Sequence, residues 1–180
     1  MAQKDAAAAF AMPAALLGEG YVLRPETDAD LAFLATLFAS TREEELAVVP
    51  WTAEQKRAFL DAQFKAQRHH YRTYNAGCAF DVIEHRGTPI GRLYVEAGRR
   101  RLYVVDIALM PAWRGRGLGT AILTALQDCA RTSGRTLGIM VEKFNPAMRL
   151  YRRLGFTDVA DHGVYQEMEW RPGGAQLNVA

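Results

Sequence analysis

Hydrophobic and polar positions recur along this chain with two periods, and the switches between them mark out its elements. Tyr21-Val22-Leu23-Arg24-Pro25 reads as a first strand, and the polar cluster Glu26-Thr27-Asp28-Ala29-Asp30 has the character of a helix start. Leu31, Leu34, Leu37 and Phe38 then share one helix face, at a spacing that lays the helix on a sheet. Thr41 to Leu46 is a charged helix end or loop. Thr52 with Gln55 resembles a capping box, and Phe59, Leu60 and Phe64 carry the helix it opens to about His70. Ala79–His85 and Ile90–Glu96 form a hairpin around the turn Arg86-Gly87-Thr88-Pro89. Leu102 to Met110 is almost continuously apolar and is closed by Pro111, as a buried strand would be. The period turns helical again from Thr120 to Ala130, through Ile122, Leu123 and Leu126. A strand over Leu137–Val141, a short helix from Phe144 to Leu154, a strand beginning at Phe156–Val159 and a last strand from Gly163 to Trp170 complete the pattern. Val164, Gln166, Met168 and Trp170 share one face of that last strand. The order β-α-α-β-β-β-α-β-α-β-β excludes a simple alternating parallel sheet and predicts an α+β chain with a mixed sheet.

Length adds the domain count. A chain of 180 residues suits one domain with a substantial core, expected over 18–172 with tails at 1–17 and 173–180. The Ala-rich start has a weak basic region and an apolar stretch broken by Pro13, so it reads as a frayed or helical tail rather than a secretory leader. With no apolar run of membrane-spanning length, a cytoplasmic location without membrane contact is expected. Charge is balanced, 22 basic against 20 acidic residues for a net +2, which argues against bulk nucleic-acid binding. Arg99-Arg100-Arg101 reads as solvated charge at a hairpin tip. Cys78 and Cys129 are too few for a disulfide scaffold or a zinc site and read as buried thiols. His69 and His70 are adjacent on a helix and diverge, so no metal site is expected.

The chemistry begins where the buried strand ends. Arg114-Gly115-Arg116-Gly117-Leu118-Gly119 follows it directly and opens the next helix at Thr120. Three glycines permit positive φ and close approach of a ligand. The amides of the turn lie at a helix N-terminus, where they lack acceptors and the helix dipole favours an anion, phosphate being the usual one. Arg114 and Arg116 reinforce the sign. The turn is neither a P-loop nor a dinucleotide G-x-G-x-x-G.

Arg114-x-x-Gly117-x-Gly119 resembles the acyl-CoA pyrophosphate signature of the GNAT N-acetyltransferase superfamily. Downstream, Asn145-Pro146-Ala147, Leu150-Tyr151 and Leu154-Gly155-Phe156 resemble its N-x-x-A-x-x-L-Y-x-x-x-G-F block. The element order is also that of the superfamily. The resemblance implies a three-layer fold in which the central strand and the strand near 137–141 run parallel and splay apart. It implies acetyl-CoA as cosubstrate, with no metal. The amides of Gly115, Arg116, Gly117, Leu118, Gly119 and Thr120, with Arg114, would hold the pyrophosphate. The backbone of Ile107 and Leu109 would bind pantetheine, and Asn145 would orient it or cap the short helix. Tyr151 would protonate the leaving thiolate.

The base is less determined. Asp106 interrupts an apolar strand, so it is either a base strengthened by burial or the partner of a cation such as Arg92. Glu142 and Glu43–Glu45 are alternates. The segment 40–75, with Trp51, Tyr71 and Tyr74, is the place for an acceptor site. The implied reaction is direct transfer of acetyl to a primary amine, on a small molecule or a protein, in a ternary complex. Neither cysteine sits where an acyl-enzyme would need it. A catalytically silent CoA-binding module is the alternative, and the chain leaves a homodimer open.

Overall fold

The computed structural model describes residues 10–173. Seven strands form one mixed sheet: β1 Tyr21–Pro25, β2 Cys78–His85, β3 Thr88–Ala97, β4 Arg101–Leu109, β5 Thr136–Glu142, β6 Thr157–His162 and β7 Tyr165–Trp170. Their spatial order is β1-β2-β3-β4-β5-β7-β6, and every neighbouring pair is antiparallel except β4 and β5. Six helices cover it: α1 Ala14–Gly18, α2 Leu31–Thr41, α3 Glu43–Ala47, α4 Ala53–Tyr74, α5 Leu118–Thr132 and α6 Met148–Arg153. Among the described residues, no helix is long and apolar enough to cross a membrane.

The sheet has a cluster on each side. The larger joins Leu93, Leu102, Val104, Leu137 and Ile139 of the strands to Ile122, Leu123 and Leu126 of α5. The apolar period of 118–132 therefore finds the face it predicts. The smaller cluster, Leu34, Phe38 and Phe64, locks α2 to α4 on the other layer. Residues 10–17, expected as tail, add Met12 and Leu16 to the larger core. Residues 1–9 and 174–180 of the expected tails lie outside the described residues.

Local signals explain most boundaries. The Thr52 hydroxyl accepts from the Gln55 amide, and the Gln55 side chain returns the bond, so α4 starts at its capping box. It runs on to Tyr74, beyond the expected His70, because nothing breaks the helix before Asn75. The short helix expected from Phe144 starts only at Met148. Pro146 disfavours helical backbone at Asn145, whose Oδ1 instead accepts from the Ala147 amide in a turn. Val164, expected on the inner face of the last strand, lies before β7 and is exposed, since Gly163 turns there with φ +74°. Cys78 and Cys129 are half-buried. Burial, with Glu96 and Asp81 adding, pushes the Cys78 thiol up to about 12.

Candidate active site

The one parallel pair in the sheet is also incomplete. β4 and β5 are in register only from Arg101↔Thr136 to Val104↔Ile139. Beyond that point β5 stays with β7, while residues 106–109 of β4 have a partner only in β3. Val105 is the extra residue of a bulge opposite Tyr94/Val95, which bends β4 where the two strands part. The Met110 amide donates to Ile90 of β3. Alternation then turns the Ile107 and Leu109 amides to the opposite edge, into the gap. A cleft of about 640 Å³ opens there, lined in part by Asp106, Ile107, Arg114, Glu142, Asn145 and Tyr151.

At the end of β4 the chain makes a short 3-10 turn, Pro111–Trp113, and enters the glycine turn. Gly115 and Gly117 have φ of +71° and +84°, and a Cβ on either would meet no atom within 4 Å. Their requirement is conformational, and it leaves the backbone open to a ligand. Gly117 is the N-cap of α5, whose first bond joins the Ala121 amide to the Gly117 carbonyl. The amides of residues 115–120 have no acceptor among the described residues, so this turn fits a diphosphate.

Arg114 is held by acceptors within the protein. Its Nε donates to the Leu109 carbonyl at 2.8 Å and its Nη2 to the Ser40 hydroxyl at 2.8 Å. The guanidinium thus ties the glycine turn to the end of α2 and covers the Leu109 carbonyl on the cleft edge. The Arg116 guanidinium lies over the Trp113 ring, 5.5 Å from its centre.

Tyr151 is buried on α6, edge-on to Phe156 at 5.8 Å, and its hydroxyl makes no hydrogen bond among the described residues. Burial, assisted by the negative charge of Asp106, raises its pKa above the ordinary phenol value. Asp106 is not isolated in its apolar strand. Its Oδ2 accepts from Arg92 Nη2 at 2.7 Å and from the Tyr71 hydroxyl at 2.9 Å. Arg92 is itself buried and donates to Gln67 Oε1 at 2.8 Å. Of the two readings of Asp106, the ion pair with Arg92 is therefore present, and the carboxylate still lines the cleft.

Comparison with known proteins decides the family. The sequence profile of the Acetyltransferase (GNAT) family matches residues 38–156, which carry β4, the glycine turn and Tyr151. The chain belongs to the GNAT acetyltransferase family. Among curated proteins it is similar to streptothricin acetyltransferase of Streptomyces lavendulae, 37% identical over 73 residues. That match spans 39% of this chain and 39% of the relative. Two solved structures share the fold. PaiA N-acetyltransferase from Thermoplasma acidophilum, in complex with coenzyme A, superposes with a TM-score of 0.62 at 14% identity, covering 84% of this chain and 99% of that one. An acetyltransferase from Thermus thermophilus gives 0.61 at 18% identity, over 89% and 99%.

In this GNAT domain the parallel pair splays as the family resemblance implies, and the glycine turn opens α5. The cleft also contains Gln67, which sequence reasoning did not single out, and Tyr71, named there only within the acceptor segment. Gln67 and Tyr71 lie four residues apart on α4 and so share its inward face. Their i, i+4 spacing was the one available signal. On the opposite wall Arg42 bonds Glu142 Oε1 at 3.1 Å and Glu45 Oε1 at 3.1 Å. The alternates Glu43–Glu45 and Glu142 line the same GNAT cleft, which makes that wall acidic.

Proposed function

We propose that this GNAT protein moves the acetyl group of acetyl-CoA to a primary amine by direct attack within a ternary complex. The observation that carries the reading is convergence. A free strand edge and a phenol without a partner among the described residues line one cleft, and the uncapped start of α5 follows closely on Arg114, which lines it too. Acetyl-CoA supplies the acetyl thioester and, in its diphosphate, the handle by which it is held.

The amides of Gly115, Arg116, Gly117, Leu118, Gly119 and Thr120 bind that diphosphate, helped by the α5 dipole. Arg114 serves this by bracing the turn from behind. The Ile107 and Leu109 amides pair with the pantetheine arm along the open edge of β4, as a further strand would. One of them also stabilises the negative charge that develops on the carbonyl oxygen. Asn145 shapes the turn that presents Tyr151. Tyr151 donates a proton to the departing thiolate, and its raised pKa keeps the phenol protonated until that step. Asp106 Oδ1 takes the proton from the attacking amine. Neither cysteine lines the cleft, which supports direct transfer over an acyl-enzyme.

The acidic wall favours acceptors that arrive as cations, and the relative named for streptothricin supports an amine on a small molecule. A thiol-release assay over a panel of primary amines tests the whole reading. Tyr151→Phe is expected to lower kcat by about a hundredfold or more, the usual effect of removing a general acid. Acetyl-CoA binding without thiol release on any amine would overturn the proposal.

A further inference from the structure

The two oxygens of the Asp106 carboxylate are in different situations. Oδ2 already accepts twice, from Arg92 on β3 and from Tyr71 on α4. Oδ1 has no donor among the described residues, and the residue lines the cleft. The two donors are held in turn. Gln67 accepts from the same Nη2 of Arg92, one helical turn before Tyr71, and the Tyr71 ring stands edge-on to Tyr94 at 5.9 Å. The charge of Asp106 is felt by Tyr71 on α4, Arg92 and Tyr94 on β3, Tyr151 on α6 and Cys78 at the start of β2. Arg92 is the one cation among them.

We propose that Tyr71 is a positioning residue of the transfer reaction. With Arg92 it occupies one lobe of the Asp106 carboxylate, so that Oδ1 alone takes the proton of the acceptor. The inference rests on the reading of Asp106 as proton acceptor. In the step, an N–H bond of the acceptor ammonium breaks and its electron pair stays on nitrogen for the attack. An O–H bond forms at Oδ1, and Oδ2 keeps both donors. A carboxylate free to rotate would offer either oxygen in many orientations, and misplacement of about 1 Å can cost about a hundredfold in rate.

Tyr71→Phe removes one oxygen and keeps the ring. Acetyl-CoA affinity by calorimetry is expected to stay within about twofold, because Tyr71 is remote from the glycine turn. With butylamine, putrescine or lysine as acceptor, kcat/KM falls about tenfold, as loss of one hydrogen bond to a charged group allows. The loss falls on kcat, with KM for the amine within about twofold. Asp106→Asn leaves only a residual rate, and adding Tyr71→Phe to it causes no further loss. Carboxyl-carbon NMR needs no acceptor: the chemical shift of the Asp106 carboxyl carbon changes in Tyr71→Phe, because one donor to Oδ2 is lost. If Asp106→Asn keeps the wild-type rate, the proton-acceptor reading falls. If Asp106→Asn loses activity while Tyr71→Phe leaves both kcat and the Asp106 carboxyl-carbon shift unmoved, the role of Tyr71 falls. A double variant weaker than Asp106→Asn alone shows Tyr71 acting by itself, and overturns the positioning role.

Discussion

At the scale of single residues, the Arg92–Asp106 pair governs what can be changed. Arg92 is buried, and its Nε finds no acceptor among the described residues, so it already holds an uncompensated donor. Arg92→Met leaves the Asp106 carboxylate without its cation. Removing one partner of a buried pair costs about 3–5 kcal/mol, so urea unfolding of this variant should show a midpoint well below that of the wild type. An unchanged midpoint would mean that water already screens the pair. The double meaning of Asp106, base or ion-pair partner, is readable from a lone carboxylate in an apolar strand with Arg92 one strand away. The Tyr71 bond is not. It joins residues 35 apart in sequence, and the packing of α4 over β3 and β4 that closes that distance leaves no trace in local spacing.

At the scale of elements, two glycines fail for opposite reasons. Gly117 holds φ at +84° with open space around it, so Gly117→Ala should cost about 1–2 kcal/mol of backbone strain and disturb the start of α5. Gly91 has no such φ, but a Cβ there would stand 2.5 Å from the Ala108 carbonyl oxygen. Gly91→Ala therefore forces β3 and β4 apart, and an overpacking cost of about 1–3 kcal/mol is expected. Calorimetry separates the two: Gly117→Ala weakens acetyl-CoA binding more than its stability loss explains, and Gly91→Ala destabilises without a matching loss. The α4 cap is a third test, since Thr52→Ala should lower stability by about 1 kcal/mol in thermal melts. Elements with such local signals, the capping box and the α5 stripe, are legible in the sequence. The start of α6 is not, because an Asn before a Pro suits an N-cap and a turn equally, and only packing of Met148 and Tyr151 into the core chooses between them.

At the scale of the whole molecule, stability should peak between acid and alkaline losses. The bond from Arg24 holds Asp30 well below the usual carboxylate range, against its burial and with Thr27 assisting. Burial alone would raise Glu26, but Tyr94, Arg68 and Arg72 outweigh it and hold it low. Groups depressed in the folded state contribute stability above their unfolded values, near about pH 4, and lose it as pH falls through the folded ones. Asp81, raised by burial and by Glu26, works the other way: its share is full below about pH 4 and is lost as pH rises through its folded value. Burial raises Tyr71, Tyr94 and Tyr151, so their contribution is intact below about pH 10 and declines as pH rises further. Thermal melts from pH 3 to pH 11 should therefore trace a plateau with a fall on each side, and a curve still rising above about pH 10 would contradict the tyrosine assignment. The order of elements and the glycine turn make the family legible from sequence alone. The acidic wall is less so, because Glu43–Glu45 and Glu142 come together only when α3 closes over the end of β5.

A strand that loses its neighbour halfway should also exchange isotopes at two speeds. In deuterated buffer the amides within Arg101–Val104, hemmed in on both sides, should keep their protons for the lifetime of the sheet. Those of Ile107 and Leu109, a few residues further along the same backbone, should surrender theirs early. Adding coenzyme A should bring the fast pair into step with the slow one, so that the middle of the sheet becomes uniform only when the gap beside it is filled.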